Sequence, residues 1–401
     1  MITFRMKEAG ALLSLLAFEL FEKKMDADWD GVDWRLFLQA ATEHAVCPLL
    51  YAGVNAVSGV PAGVFDIVER FAVRSTILSD RMAKVQSEIL DEMAKGNVKT
   101  AVLKGTSVAA FYRHPEVRMT GDIDILVRES DMKTCGGILL SMGFEKTHET
   151  EMHDCYKKKG VSVEVHRAVS RFPATEKGQY ALRFMKCALD STDSHAMGGY
   201  VFPMLGKPHH MVALLSHMER HMGASGIGLR QMCDWAVAVN NVKPEETDEI
   251  VRELKNCGLY VFACALTGVA EKFLGLPECA WMERVSEELI DETMEEILSA
   301  GNFQAQYKNR PKASAFIDPY DLDGDGKRRI IRTYLRKVKR KTAAEFPWAK
   351  SRAWIPVFGV YYAVWLAVSV LRGKIDGKGM MNTLKTSKKR EKYLRKLCLY
   401  K

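Results

Sequence analysis

No CxxC pair occurs among the nine cysteines of this 401-residue chain, and their number is odd. Both facts argue against a disulfide framework and against a thiolate zinc site, and they point to a reducing cytoplasm. The chain also lacks an internal repeat, a low-complexity tract and the GxxxxGK spacing of a phosphate loop. It carries no RNP-like aromatic signature, so nucleic acid is the weaker partner class. A secretory leader is not expected either. The first apolar stretch, "ALLSLLAFELF", is interrupted by Glu19, preceded by Glu8 and followed by "EKK", which reads as an amphipathic helix.

What is present is ordinary globular composition, 47% hydrophobic and 27% charged, over a length sufficient for two or three cores. The net charge of +8 conceals an asymmetry. Residues 327–401 hold 22 Lys+Arg against 3 Asp+Glu, whereas residues 1–326 hold 36 against 47. So basic a tail suits a polyanionic surface, an anionic membrane or nucleic acid.

Apolar periodicity predicts helices over residues 7–24, 33–44 and 48–57, and one long helix running from about residue 65 to Gly96 and Asn97. The period then changes. "VKTAVLKG" reads as a short strand closed by Gly105, "SVAAFYR" as a helical turn or two, and "IDILV" as a strand. "SDMKTCGGILLSMGF" reads as a helix capped by Ser130, and "CYKKKGVSVEVHRAV" as a hairpin turning at Gly160. From Glu176 onward the pattern is helical again, so the expected sheet is small and confined to residues 98–169. The fold class is therefore α+β, a small mixed β-sheet core flanked by N-terminal helices and a C-terminal helical domain. The expected divisions are 1–96, 97–172, 173–300 and 301–401.

The chemistry concentrates in "RMTGDIDILV", residues 118–127. Residues two apart in a strand share a face, so Asp122 and Asp124 project together and repel unless a cation lies between them. Mg²⁺ is the economical solution, because hard oxygen ligands of this kind suit it and it usually also takes substrate phosphates. In "VSVEVH", Ser162, Glu164 and His166 form one face. If that strand neighbours the first, Glu164 becomes a third carboxylate. Upstream, Lys104, Gly105, Thr106 and Ser107 form a strand end, a glycine turn and a helix start, a place where backbone N–H groups receive phosphate and Lys104 adds a charge. Arg118 would either neutralise a triphosphate or pair with an acid.

"LKGTSVAAFYRHPEVRMTGDIDILV", followed by Gly143 and Phe144 and then by "VEVHRAV", resembles the uncharacterised nucleotidyltransferase family of the DNA polymerase β-like nucleotidyltransferase superfamily. Weaker similarity extends over "EHAVCPLLYAGV" and "LLSHMERHMGASGIGLRQMCDWA". The resemblance implies transfer of a nucleoside monophosphate from an NTP such as ATP to an acceptor with Mg²⁺ or Mn²⁺, releasing pyrophosphate. It implies Asp122, Asp124 and Glu164 as metal ligands and catalytic groups, Glu164 orienting or deprotonating the attacking hydroxyl. It likewise implies Lys104, Gly105, Thr106, Ser107 and Arg118 around the nucleotide. Lys104 and Thr106 depart from the Gly-Ser or Gly-Gly usual at that turn. The acceptor is expected to be a small molecule or a protein hydroxyl.

His217 and His221, one turn apart, could form half of a zinc site, with Cys233 and Asp234 as further candidates, but no third ligand has suitable spacing. The preferred reading places His217 and His221 with Arg230 and Asp234 in a polar seam where the helical domain meets the active-site sheet; His166 is either a substrate contact or, the preferred reading, a hydrogen-bonded strand residue. "DLDGDG", residues 321–326, begins like an EF-hand loop but has Arg332 where a bidentate glutamate is needed. Finally, "IPVFGVYYAVWLAVSVL", residues 355–371, is seventeen residues without a charge, flanked by Lys350, Arg352, Arg372 and Lys374. That length suits a buried or interfacial helix at least as well as a spanning one. The alternative to an enzyme is thus a catalytically degenerate scaffold recruited by its basic tail, cytoplasmic and peripheral at the inner membrane face.

Overall fold

Helix α4, Ala62–Lys95, places Val64, Val68, Ala72, Ser75, Ser79, Met82, Gln86, Ile89 and Met93 at intervals of three or four, and that stripe is buried. Spacing of this kind turns one face of a helix continuously to a core. The helix stops where Asn97 takes φ 57°, and Val98 N–H donates back to the Met93 carbonyl at 2.9 Å. The computed structural model describes residues 6–224, 226–300, 352–371 and 389–401, with the isolated positions 335, 338, 342 and 346. The EF-hand-like segment 321–326 lies outside the described residues.

The chain divides into two compact units, residues 1–219, 226–303 and 400–401 in one, 220–225 and 304–399 in the other. The first contains α1 (Met6–Phe21), α2 (Trp34–Glu43), α3 (Tyr51–Ala56) and α4, ahead of a seven-stranded mixed sheet. Its strands are β1 (Thr100–Leu103), β2 (Ile123–Val127), β3 (Glu145–Glu149), β4 (His153–Lys158), β5 (Val161–His166), β6 (Thr192–Met197) and β7 (Tyr200–Leu205). Their spatial order is β3-β4-β5-β2-β1-β7-β6. Helix α5 (Gly105–Ala109) follows β1, and α6 (Met132–Ser141) follows β2.

Parity divides the two faces of the central strands. Ile123, Ile125 and Val127 join Val163 and Val165 in a core with Ile89 and Met93 of α4 and Leu139 of α6. The intervening residues, Asp124 on β2 and Glu164 on β5, stand opposite each other in parallel register on the other face. Beyond the sheet come α7 (Glu176–Lys186), α8 (Lys207–Gly223), α9 (Leu229–Asn240), α10 (Thr247–Asn256), α11 (Tyr260–Leu274) and α12 (Glu287–Leu298). Buried Trp235 and Phe262 mark the packing of α9 and α11.

The sheet is larger than expected. The β6–β7 hairpin falls in a stretch read as helical and adds a second flank, β7 running parallel to β1. Its signal was a Gly198-Gly199 turn, with φ 57° and 84°, the pair that a two-residue hairpin favours. Pro203 in β7 and the polar β6 obscured it. Strand β3, entirely exposed, was likewise missed for want of apolar alternation. Ser130 does not cap α6: it lies in a preceding 3₁₀ turn, and no side chain caps that helix.

In the second unit, helix Ile355–Leu371 buries Phe358 and Tyr362 with Val338 and Phe346, while Val357, Val360, Tyr361 and Val364 remain exposed. Among the described residues no helix is long and apolar enough to cross a membrane. Arg390 is buried there and donates through Nη1 to the Ala224 carbonyl at 2.8 Å.

Candidate active site

Three carboxylates meet where β2 begins. Asp122 immediately precedes the strand, Asp124 lies on it and Glu164 is its register partner on β5, so that one oxygen from each falls within 4.8 Å of the others. Asp124 is 3% exposed, and its Oδ1 accepts from Lys104 Nζ and faces His166 Nε2, both at 2.8 Å. His166 Nε2 is also 3.3 Å from Glu164 Oε2.

The electrostatics separate the members of this group. Burial works against the charged form of Asp124, but the Lys104 ammonium and the His166 hydrogen bond outweigh it and hold the carboxyl well below its usual range. Glu164 is lowered as well, through its hydrogen bond to His166. Asp122 goes the other way: burial and the neighbouring Asp124 charge push it from 3.8 to about 6. Among the described residues Asp122 makes no ion pair, so the cluster holds more negative charge than its own cations offset.

The turn before the cluster uses left-handed backbone. Lys104 adopts φ 46° and Gly105 φ 30°; a side chain at Gly105 would lie 3.6 Å from the Asp122 carbonyl oxygen and from Thr120 Cγ2. Ser107 Oγ donates to the Lys104 carbonyl at 2.7 Å, and both Thr106 and Ser107 are buried. The Ser107 hydroxyl therefore closes the turn, and the charge that Lys104 presents there lies against Asp124.

Arg118 resolves in favour of pairing with an acid. It grips Asp234 on α9 with two bonds, Nε to Oδ1 at 2.8 Å and Nη2 to Oδ2 at 2.7 Å, and Tyr112 Oη donates to Asp234 Oδ1 at 2.7 Å. Arg230 Nη1 donates to the Met119 carbonyl at 3.1 Å, and its charge is felt at Asp122. Arg230 and Asp234, both on α9, thus hold the segment that leads into Asp122. His217 lines a small cavity with Lys104 and Val108. His217 and His221 both lie on α8, and among the described residues no third side chain completes a metal-sized group with them.

One contact went unread in the sequence. His44, buried at the end of α2, accepts at Nδ1 from the Leu229 N–H at 3.1 Å, the opening of α9. Burial lowers its pKa to about 4, which keeps the imidazole neutral and able to accept. This bond joins the two outlying segments of family resemblance, "EHAVCPLLYAGV" and "GLRQMCDWA". A histidine beside an apolar run carries no signal of so distant a partner.

The mixed sheet carries a glycine turn, a DxD strand and a third acid on the adjacent parallel strand, the layout that the resemblance to nucleotidyltransferases implies. The sequence profile of the uncharacterised nucleotidyltransferases matches residues 30–275, and the chain belongs to that family. No curated protein matches it in sequence. Among solved structures it is similar to the antibiotic-resistance factor ANT(2'')-Ia, at 9% identity and TM-score 0.34, over 44% of this chain and 92% of that one. It is also similar to an antigenic nucleotidyltransferase-like protein from Paracoccidioides brasiliensis, at 15% identity and TM-score 0.33, over 54% and 94%. A third likeness is to a tRNA-processing enzyme, at 17% identity and TM-score 0.27, over 79% and 77%.

Proposed function

We propose that the chain transfers a nucleoside monophosphate from an NTP to a hydroxyl of a small molecule or protein, using Mg²⁺ or Mn²⁺. The observation that carries this reading is the meeting of Asp122, Asp124 and Glu164 beside Lys104 and the Gly105 turn. Three hard oxygen donors with surplus negative charge, one of them forced toward protonation by its neighbours, fit a divalent cation. When bound, that cation supplies charge stabilisation at the transferring phosphoryl group. Glu164, the most exposed of the three acids, accepts the proton of the acceptor hydroxyl as the new O–P bond forms. The bond from the α-phosphorus to the bridging oxygen breaks, and pyrophosphate leaves. Lys104 lies where it can exchange Asp124 for a phosphate oxygen, and positioning with preorganised charge supplies most of the rate.

A thermal-shift titration of the wild type and Asp122→Asn with each of the four NTPs, with and without Mg²⁺, tests it. A ligand specific to the folded state adds about 2.7 kcal/mol at a hundredfold excess over its dissociation constant. Stabilisation requiring both metal and nucleotide, and missing in the variant, is the expected outcome. If no NTP stabilises the wild type, the degenerate-scaffold reading takes over.

The second unit favours that other reading on one observation: Val357, Val360, Tyr361 and Val364 are exposed on a helix that the sequence brackets with basic residues. Apolar surface beside cationic clusters suits the cytoplasmic face of an anionic membrane. Co-sedimentation with anionic but not neutral vesicles is expected for the full chain, and equal recovery with both would remove the membrane from consideration.

A further inference from the structure

The face of the sheet that bears the carboxylates continues outward with a different set of donors. On β4, His153 and Cys155 are two apart and share a face, and their register partners on β5 are His166 and Glu164. At the sheet edge, β3 would normally bring Lys146 and His148 to one face together, since they too are two apart. Lys146 does turn to the opposite face, where it opposes Tyr156 and pairs with Asp154 at 2.8 Å. A register shift falls between Lys146 and His148, however, leaving Thr147 as the extra residue, and His148 comes to oppose Cys155. A bulge of this kind re-aims a side chain. Here it turns His148 onto the face of His153 and Cys155.

We propose that β3 and β4 hold a zinc-type divalent transition metal through His148, His153 and Cys155. One ligand atom from each lies within 4.8 Å of the others, and Cys155 Sγ is 3.2 Å from His148 Nε2. His153 Nδ1 is buried and has no hydrogen-bond partner among the described residues. Glu164 Oε1 is the nearest fourth donor, 3.8 Å from His153 Nε2 and 4.0 Å from Cys155 Sγ. Two imidazoles and a thiolate select zinc and its neighbours over magnesium, whereas the adjoining carboxylates select the reverse. One face of the sheet therefore offers two chemically distinct cation sites, which meet at Glu164. The outer one would also clamp the exposed edge strand β3 to β4, independently of any nucleotide chemistry.

The test uses the full chain, reduced and stripped with chelator, titrated with Co²⁺ as a spectroscopic probe and then with Zn²⁺ as competitor. The expected result is one equivalent of Co²⁺ with a thiolate charge-transfer band in the near ultraviolet, displaced by Zn²⁺. Cys155→Ser should lose the band, and His148→Ala should weaken binding at least about tenfold. Asp122→Asn should leave both intact. His148 is exposed on an edge strand, so His148→Ala keeps the test alive should Cys155→Ser fail to fold. Circular dichroism of the metal-free variants reports that directly. Failure of the wild type to bind Co²⁺, or binding without the band that survives His148→Ala and disappears in Asp122→Asn, overturns the proposal.

Discussion

Two aspartates, Asp234 and Asp122, lie on either side of the Arg118–Arg230 pair, and the chain treats them oppositely. Asp234 is answered in full: a guanidinium grips both of its oxygens and a tyrosine hydroxyl adds a third bond. Burial alone would raise its carboxyl, yet Arg118 with its hydrogen bonds, and Arg230 beyond, hold it low. Asp122 has no ion-pair partner among the described residues; burial and the Asp124 charge push it up to about 6, against the weaker pull of Lys104 and Arg230. A carboxylate serving architecture is matched within the chain. One that is left short of positive charge implies a cation from outside.

That contrast can be broken most severely at Asp234. Asp234→Ala leaves Arg118 buried without its anion, and the cost should be about 3–5 kcal/mol of unfolding free energy in a urea titration. A loss within about 1 kcal/mol, the ordinary size of a point substitution, would mean that the pair is not a keystone. At the other pole, Asp122→Asn should lower nucleotidyl transfer by about a hundredfold or more, in line with the loss of one preorganised electrostatic contact. Its unfolding free energy without metal should not fall. Transfer at the wild-type rate would remove Asp122 from the chemistry.

The smallest effect is in pH. A carboxyl whose folded pKa lies above its unfolded value binds a proton more readily in the native state. Its contribution to stability is therefore complete below about pH 4 and is lost as pH rises through about 6. Asp124 and Glu164 are shifted the opposite way, so the Asp122 share is isolated by difference. The stability advantage of Asp122→Asn over the wild type should grow from about pH 4 and level off above about pH 6, at about 3 kcal/mol at most. Saturating Mg²⁺ should abolish it. A difference that is flat with pH would show that the Asp122 carboxyl is not strained by its neighbours.

The chain announces the centre of its sheet and hides the edges. β1, β2 and β5 are legible from their short apolar runs, and parity puts Asp124 on one face of β2 and Glu164 on one face of β5; that the two strands are neighbours is supplied by the fold. Gly105 and Gly160 mark their turns. The hairpin at Gly198-Gly199 was hidden by a polar outer strand and a proline, and β3 by having no apolar alternation at all. Arg118 could be read as a nucleotide contact or an ion-pair partner, and only the position of α9, 116 residues further on, decides. The His148, His153 and Cys155 group defeats sequence reading for a sharper reason. Two-residue periodicity puts His148 on the wrong face, and the bulge that corrects it leaves no mark in the residue types. The absence of CxxC argues against a thiolate zinc site, and the proposed site runs against that expectation because its ligands are assembled across strands.

The seam formed by Arg118, Arg230 and Asp234 also bears on motion. Arg118 is clamped to α9 by its side chain, and the carbonyl of the next residue, Met119, is held by Arg230 from the same helix. The short approach to Asp122 is thereby moored at two adjacent points to an element buried along nearly its whole length. Its amide hydrogens should exchange on the schedule of α9 rather than of a surface loop.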